Sequence, residues 1–136
     1  MHYRQLEITD LPQVAQLYME YYNTHEDGEW TEHTTTKRIR QVLTREDSYC
    51  LVLEDGGNII AFAMGYFQQY DDGFTYDLVE IVVSAEKQNQ GIGSAFMAEL
   101  EKQEKAVWMW RSAYMGGLPE KIVSAKFCFL ILSSWR

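Results

Sequence analysis

The sequence predicts an α+β (mixed α/β) domain, a central and mostly antiparallel sheet flanked by helices. Three observations carry this. The strand-like runs "SYCLVLE" (48–54) and "IIAFAMGYF" (59–67) flank the turn "DGGN", which marks an antiparallel hairpin. "TYDLVEIVV" (75–83) follows as the most strand-like segment of the chain. Helical periodicity appears twice before these strands and once after them. At 136 residues and 46% hydrophobic, the chain suits a single domain, residues 1–136.

The elements follow in order. "HYRQLEI" (2–8) alternates as a first strand. "TDLPQ" starts a helix, with Asp10 as N-cap, Gln13 completing a capping box and Pro12 in the first turn. Leu11, Val14, Leu17 or Tyr18, and Tyr21 share one face of it. After the loop "THEDGEW", a second helix opens at Thr31 and presents Ile39, Val42 and Leu43. Asp71 and Asp72 read as turn residues after the hairpin. A third helix, from about Gly91 to Lys105, turns Ile92, Ala95, Phe96 and Leu100 inward. "AVWMW" (106–110) reads as a following strand. The order is β-α-α-β-β-β-α-β.

The net charge of −8 argues against nonspecific nucleic-acid binding, which needs a basic surface, and favours cationic partners. The opening "MHYRQLEITD" lacks the apolar core of a signal peptide, and no run approaches a membrane span. A cytoplasmic protein with no membrane partner is expected. Cys50 and Cys128 each sit in an apolar run and read as buried free thiols. His2, His25 and His33 lack metal-ligand spacing, so no metal is expected.

"KQNQGIGSAF" (87–96) places two glycines where the third helix begins, although glycine is costly in a helix. A P-loop would need Gly-Lys-Ser/Thr at its end, and no lysine stands there. A dinucleotide-binding turn would need a third glycine where Phe96 stands. Gln88, Gly91 and Gly93 instead meet the pattern Gln/Arg-x-x-Gly-x-Gly/Ala. Such a helix N-terminus offers unpaired amides and a positive dipole end, and a β-carbon at Gly91 or Gly93 would hold phosphate oxygens off the backbone.

Together with its strand and helix, "VEIVVSAEKQNQGIGSAFMAELE" (79–101) resembles the GNAT N-acetyltransferase superfamily, and the likeness extends over about residues 1–110. It implies an acyl-CoA N-acyltransferase-like fold, with acetyl-CoA (coenzyme A) as co-substrate. The pyrophosphate would lie on the amides of Gln88, Asn89, Gln90, Gly91, Ile92, Gly93 and Ser94. The backbone of Ile81, Val82 and Val83 would pair with the pantetheine arm. Asn89 stands where the family commonly has glycine.

Moving an acetyl group to a primary amine requires a proton acceptor, and Glu80, beside the cofactor strand, suits a general base. Asp77, three residues earlier, is expected on the opposite face. A backbone N–H near Val82 would serve the thioester carbonyl. By the resemblance, Tyr114 would protonate the leaving thiolate, although "AYMGGLP" reads as a loop. By the same resemblance, the region of Tyr21, Tyr22 and Trp30 would line the acceptor site, and these aromatics with the carboxylates of Glu26, Asp27 and Glu29 would suit a small cationic acceptor or a peptide amine. Core packing of Tyr21 and Trp30 is the competing reading.

The tail, residues 106–136, is atypical. From residue 107 it holds three of the four tryptophans and four basic residues against one acidic, but no Asp, Asn, Gln, Thr or His. It lacks the family's usual Asn-x-x-Ala helix, which suggests a divergent, frameshifted or truncated segment. "KFCFLIL" reads as one strand. An incomplete sheet there would favour a homodimer or strand exchange. A non-catalytic acyl-CoA-binding or dimeric regulatory domain on the same fold is the alternative function, ahead of a nucleotide-binding module.

Overall fold

The computed structural model describes residues 1–71, 73–114 and 126–127, with side chains through Gln103. The elements are β1 (His2–Gln5), α1 (Leu11–His25), α2 (Glu32–Leu43), β2 (Leu51–Asp55), β3 (Asn58–Tyr70), β4 (Gly73–Val83), α3 (Ile92–Tyr114) and β5 (Lys126–Phe127). They form one sheet in the order β1-β2-β3-β4-β5. The first four strands are antiparallel, and β5 pairs parallel to β4 at Asp77 and Leu78.

Each face of the sheet carries its own core. Val14, Tyr18 and Tyr21 of α1 and Ile39 and Val42 of α2 pack on Val52, Phe62, Met64 and Val82. Ile92, Phe96 and Leu100 of α3 pack on Leu51, Leu53, Ala61, Ala63 and Ile81. The expected inward face of α3 holds except at Ala95, which is exposed.

Local chemistry explains most boundaries. The β2–β3 turn puts Gly56 and Gly57 at φ +58 and +84, the left-handed values a tight hairpin turn requires. Thr31 caps α2 by accepting from the Thr34 amide, while Thr34 Oγ1 accepts from the Thr31 amide. Asp10 occupies the N-cap position of α1 but makes no capping bond. Its carboxylate accepts both terminal nitrogens of Arg4 at 2.7 and 2.8 Å, and the Glu7 amide at 2.7 Å. A charge-assisted bidentate pair outcompetes a neutral cap. Gln13 is drawn elsewhere as well, accepting from the Ile59 amide.

The expected strand at 106–110 is helix instead. α3 continues through "AVWMW" to Tyr114, which ends this helix rather than lying in a loop. A five-residue apolar run cannot by itself separate strand from helix, and no Gly or Pro interrupts the chain before Gly116. The last strand comes later, at Lys126–Phe127 within "KFCFLIL". The readings placed on Asp72, Cys128 and the remainder of the tail fall outside the described residues.

The feature that most affects the site is a β-bulge. Met64 pairs with Glu80 and Gly65 with Leu78, so Val79 is an extra residue in β4. Opposite it, a β-carbon on Gly65 would stand 2.4 Å from the Asp77 carbonyl oxygen and 2.6 Å from Tyr76 Oη. Tyr76 is itself fixed there, donating to the Tyr49 carbonyl at 2.6 Å.

Two predictions follow from this packing. Gly65→Ala should lower stability by about 1–3 kcal/mol through overpacking, read as a lower urea midpoint at unchanged slope. An unchanged midpoint would show that the strands yield freely at the bulge. The second concerns acid. Arg4 holds the Asp10 carboxyl below its usual value. That stabilisation is complete above the unfolded value of about pH 4 and is lost as pH falls through the depressed folded value. Melting Asp10→Asn between about pH 2 and 6 should therefore show a flatter acid limb than the parent.

Candidate active site

Strict alternation along β4 would set Asp77 and Glu80 on opposite faces. The extra residue Val79 cancels one step, so both lie on the face that α1 and α2 cover. The expectation for Asp77 is thus corrected, although its carboxylate is occupied by Gln68 Nε2 at 2.6 Å. Glu80 is buried, at 6% exposure, beneath the two helices.

Three side chains close over Glu80. Tyr22 of α1 donates from Oη to Glu80 Oε2 at 2.5 Å. Arg38 of α2 brings Nη2 to 3.5 Å from Oε1. Tyr18, one turn before Tyr22, places its hydroxyl beside Glu80 and Arg38. The Tyr18 and Tyr22 rings stack at 4.5 Å, as expected for neighbours at i and i+4.

Burial pushes the Glu80 carboxyl above its usual range, against the opposing pull of Tyr22, Arg38 and Tyr18. Burial and the neighbouring Glu80 charge push Tyr18 up to about 12, and raise Tyr22 further still. Both hydroxyls are therefore protonated at neutral pH.

The other aromatic candidates divide. Tyr21 is core, with its hydroxyl donating to Glu26 at 3.2 Å. Trp30 packs edge-on against Tyr18 at 4.9 Å and supports the cluster from behind. Asn23 clamps the loop by accepting from the Trp30 amide and donating to the Trp30 carbonyl. A β-carbon at Gly28 would meet the Trp30 ring at 2.9 Å, so only glycine lets this loop close.

At the far end of β4 the backbone is presented on its open side. The Ser84 amide bonds the Ile60 carbonyl, so Ser84, Val82 and Glu80 direct their amides at β3. The amides of Ile81 and Val83 therefore point the other way. The donor expected near Val82 belongs to one of these neighbours, since Val82 itself faces β3. Among the described residues β5 pairs only as far as Leu78, and none of them covers Ile81–Val83 on that side.

The glycine loop abuts this open edge. Val83, Lys87, Gln88, Asn89, Gly91, Ile92, Gly93 and Ser94 line one small hollow. Gln88 donates its side-chain amide to the Val83 carbonyl at 3.2 Å and ties loop to strand. Asn89 and Gly91 both adopt left-handed φ, +62 and +78. Asparagine tolerates that region, which accounts for its standing where glycine is common. A β-carbon at Gly91 would meet nothing within 4 Å, so the space above the loop is open to a ligand. The first intrahelical bond of α3 runs from the Ala95 amide to the Gly91 carbonyl, leaving the amides of Ile92, Gly93 and Ser94 without intrahelical acceptors.

A broader hollow along the exposed side of α2, lined by Thr31, Glu32, His33, Lys37, Arg40 and Gln41, contains none of these groups. No cluster among the described residues could hold a metal ion, and no described helix is long and apolar enough to cross a membrane.

A bulged strand that carries a buried carboxylate and then opens onto a glycine-led helix N-terminus is the architecture of an acetyltransferase. The profile of the acetyltransferase (GNAT) family matches residues 11–111, and the chain belongs to that family. Its fold is similar to a possible acetyltransferase from Clostridium difficile 630, with TM-score 0.71 at 17% identity over 93% of this chain and 78% of that one. A GNAT family acetyltransferase from Staphylococcus aureus gives 0.65 at 18% identity over 79% of each chain. The aminoglycoside 6'-N-acetyltransferase AAC(6')-IG of Acinetobacter haemolyticus gives 0.57 at 16% identity over 90% of this chain and 95% of that one. No curated protein sequence matches the chain.

Arg38 and Tyr18 were not singled out in the sequence. Within "TKRIRQ", Arg38 lies three residues after buried Thr35 and four before buried Val42. That spacing was the available signal.

The raised Glu80 carboxyl has a consequence for stability. A glutamate raised on folding contributes fully below its unfolded value of about 4.3, and that contribution is lost as pH rises through the folded value. Glu80→Gln keeps an acceptor for Tyr22 without the charge. It should melt at or above the parent at pH 7, with the advantage vanishing near pH 4. A variant less stable than the parent at pH 7 would mean that the ion pair with Arg38 outweighs burial.

Proposed function

We propose that the protein is an acetyl-CoA-dependent N-acetyltransferase acting on a primary amine of a small, cationic acceptor. One observation carries the reading. The backbone edge at Ile81–Val83, which no described residue covers, leads from the buried Glu80 carboxylate to the amides at the start of α3 that lack intrahelical acceptors. A ligand with an extended amide-bearing arm and a pyrophosphate fits both stations. The amides of Ile92, Gly93 and Ser94, with the helix dipole behind them, hold the pyrophosphate, and the Gln88–Gly91 backbone curves around it. The outward amides of Ile81 and Val83 pair with the pantetheine arm as a further strand would.

Acetyl-CoA supplies an acyl carbon with a thiolate leaving group. Glu80 then receives a proton from the acceptor's ammonium. A lysine-like amine lies about three pH units from neutrality at pH 7, roughly 4–5 kcal/mol, and a carboxylate raised by burial is the better base for that task. The freed lone pair forms the C–N bond, the C–S bond breaks, and an outward amide of β4 steadies the developing oxyanion. The amine's two displaced protons end on the thiol and in solvent, so the sum is RNH3⁺ + acetyl-CoA → RNH-acetyl + CoASH + H⁺. The Tyr114 backbone ends α3, and the general-acid role remains attached to it as part of this proposal.

Thiol release from acetyl-CoA with a panel of amines tests the activity. Glu80→Gln should lower turnover by about 10²–10⁴-fold with coenzyme A affinity nearly unchanged, and the loss should shrink as pH rises. Gly93→Val should weaken coenzyme A and dephospho-coenzyme A alike. The loss of two charge-assisted hydrogen bonds is about 3 kcal/mol or more, on the order of a hundredfold. Unaltered coenzyme A affinity in the valine variant would falsify the phosphate cradle. Coenzyme A binding without thiol release from any amine would favour a non-catalytic acyl-CoA-binding domain.

A further inference from the structure

Two arginines of this chain meet carboxylates, in different ways. Arg4 is saturated, with both terminal nitrogens on Asp10, Nη2 also on Glu54 at 2.7 Å and Nη1 on the Gln5 carbonyl. Arg38 reaches Glu80 with a single nitrogen at 3.5 Å and lies beside the Tyr18 hydroxyl. Among the described residues no second carboxylate lies within ion-pair distance of it. A guanidinium carries five N–H donors in a fork matched to a carboxylate, and most of this one's are unspent. Its side chain is 37% exposed, whereas that of Glu80 is 8% exposed, so Arg38 lies on the solvent side of the carboxylate.

This placement works against a purely cationic acceptor. A fixed positive charge beside the base repels an approaching ammonium and stabilises the ionised carboxylate, which makes it a poorer base. An acceptor with an acidic group next to its amine reverses the first effect, because the same guanidinium then attracts it.

We propose that the acceptor is an α-amino acid, bound by exchanging the Arg38–Glu80 ion pair for two new ones, its ammonium on Glu80 and its carboxylate on Arg38. The inference rests on the acetyl-transfer reading and replaces its purely cationic acceptor with a zwitterionic one. The geometry suits the exchange. The nitrogen and carboxylate oxygens of an α-amino acid lie about 3 Å apart by bond lengths. The two protein groups they would meet are 3.5 Å apart. Tyr22 keeps its bond to Oε2, so Oε1, the oxygen facing Arg38, is the one the ammonium takes. The carboxylate takes the guanidinium fork in a bidentate pair. Polyamines and aminoglycosides offer the ammonium but nothing for Arg38.

Matched pairs test this. Each of the common α-amino acids is compared with its α-carboxamide as acceptor in thiol release, in the parent, Arg38→Ala and Arg38→Lys. At least one amino acid should exceed its amide tenfold or more in kcat/KM in the parent. Arg38→Ala should raise KM for that acid by about 10- to 100-fold more than KM for the amide, with Lys intermediate. Any disturbance of Glu80 by the substitution acts on both members of a pair, so the acid-to-amide ratio isolates the carboxylate contact. The same pairs are titrated calorimetrically into the protein alone, where no transfer occurs. Acid-selective binding that depends on Arg38 supports the inference even if no thiol is released, an outcome that would remove only the enzymatic reading. Equal binding of acid and amide, or a diamine or aminoglycoside as the best acceptor, overturns it.

Discussion

The extra residue in β4 sets where everything else in the site can stand. Were Val79 an ordinary strand residue rather than a bulge, strict alternation from Leu78 would turn Glu80 toward α3 and away from the tyrosines. With it, Glu80 and Val82 share the face of α1 and α2, while Ile81 faces the α3 core. The bulge needs Gly65 across from it, because the Asp77 carbonyl and Tyr76 ring fill the space a side chain would use. One glycine on β3 and one surplus residue on β4 thus decide which face receives the buried carboxylate. Bulges next to reactive groups serve this purpose generally, re-aiming one side chain while the sheet continues on both sides.

Burial of that carboxylate is tolerated because both of its oxygens have donors. Tyr22 and Arg38 come from different helices, so the carboxylate helps to fix the α1–α2 packing above it. The loop between those helices is rigid for its own reasons, with Asn23 clamping Trp30 and Trp30 standing against Tyr18. On the other side of the molecule the Arg4–Asp10–Glu54 cluster ties the start of α1 to β1 and β2. The helix that carries Tyr18 and Tyr22 is therefore pinned at both ends. Such preorganisation keeps donors in place when charge on Glu80 changes.

Much of the fold was legible because its signals are local. The double-glycine turn, the apolar faces of α1 and α2, the Thr31 cap and the glycine loop each follow from a few adjacent residues. What escaped needed information from across the sheet. Nothing in "TYDLVEIVV" announces an extra residue, so Asp77 was expected on the wrong face. Asp10 looked like a cap because Arg4, its true partner, lies six residues away on another element. Tyr22 was noticed as an aromatic beside the loop, but its bond to Glu80 spans 58 residues. Arg38 lay in a charged run, marked only by its helical spacing from Thr35 and Val42. "AVWMW" was ambiguous for the opposite reason, being too short for periodicity to decide.

The account stands on Glu80 being a desolvated carboxylate held by a tyrosine. A carbon-13 NMR titration of the glutamate side-chain carboxyls, with the Glu80 resonance assigned by its loss in Glu80→Gln, measures this without reference to any substrate. The Glu80 midpoint should lie above the ordinary value of about 4.3. It should move higher in Tyr22→Phe, because the Tyr22 hydrogen bond favours the ionised form. A midpoint at or below the ordinary value, or one indifferent to the loss of the Tyr22 hydroxyl, would contradict the account.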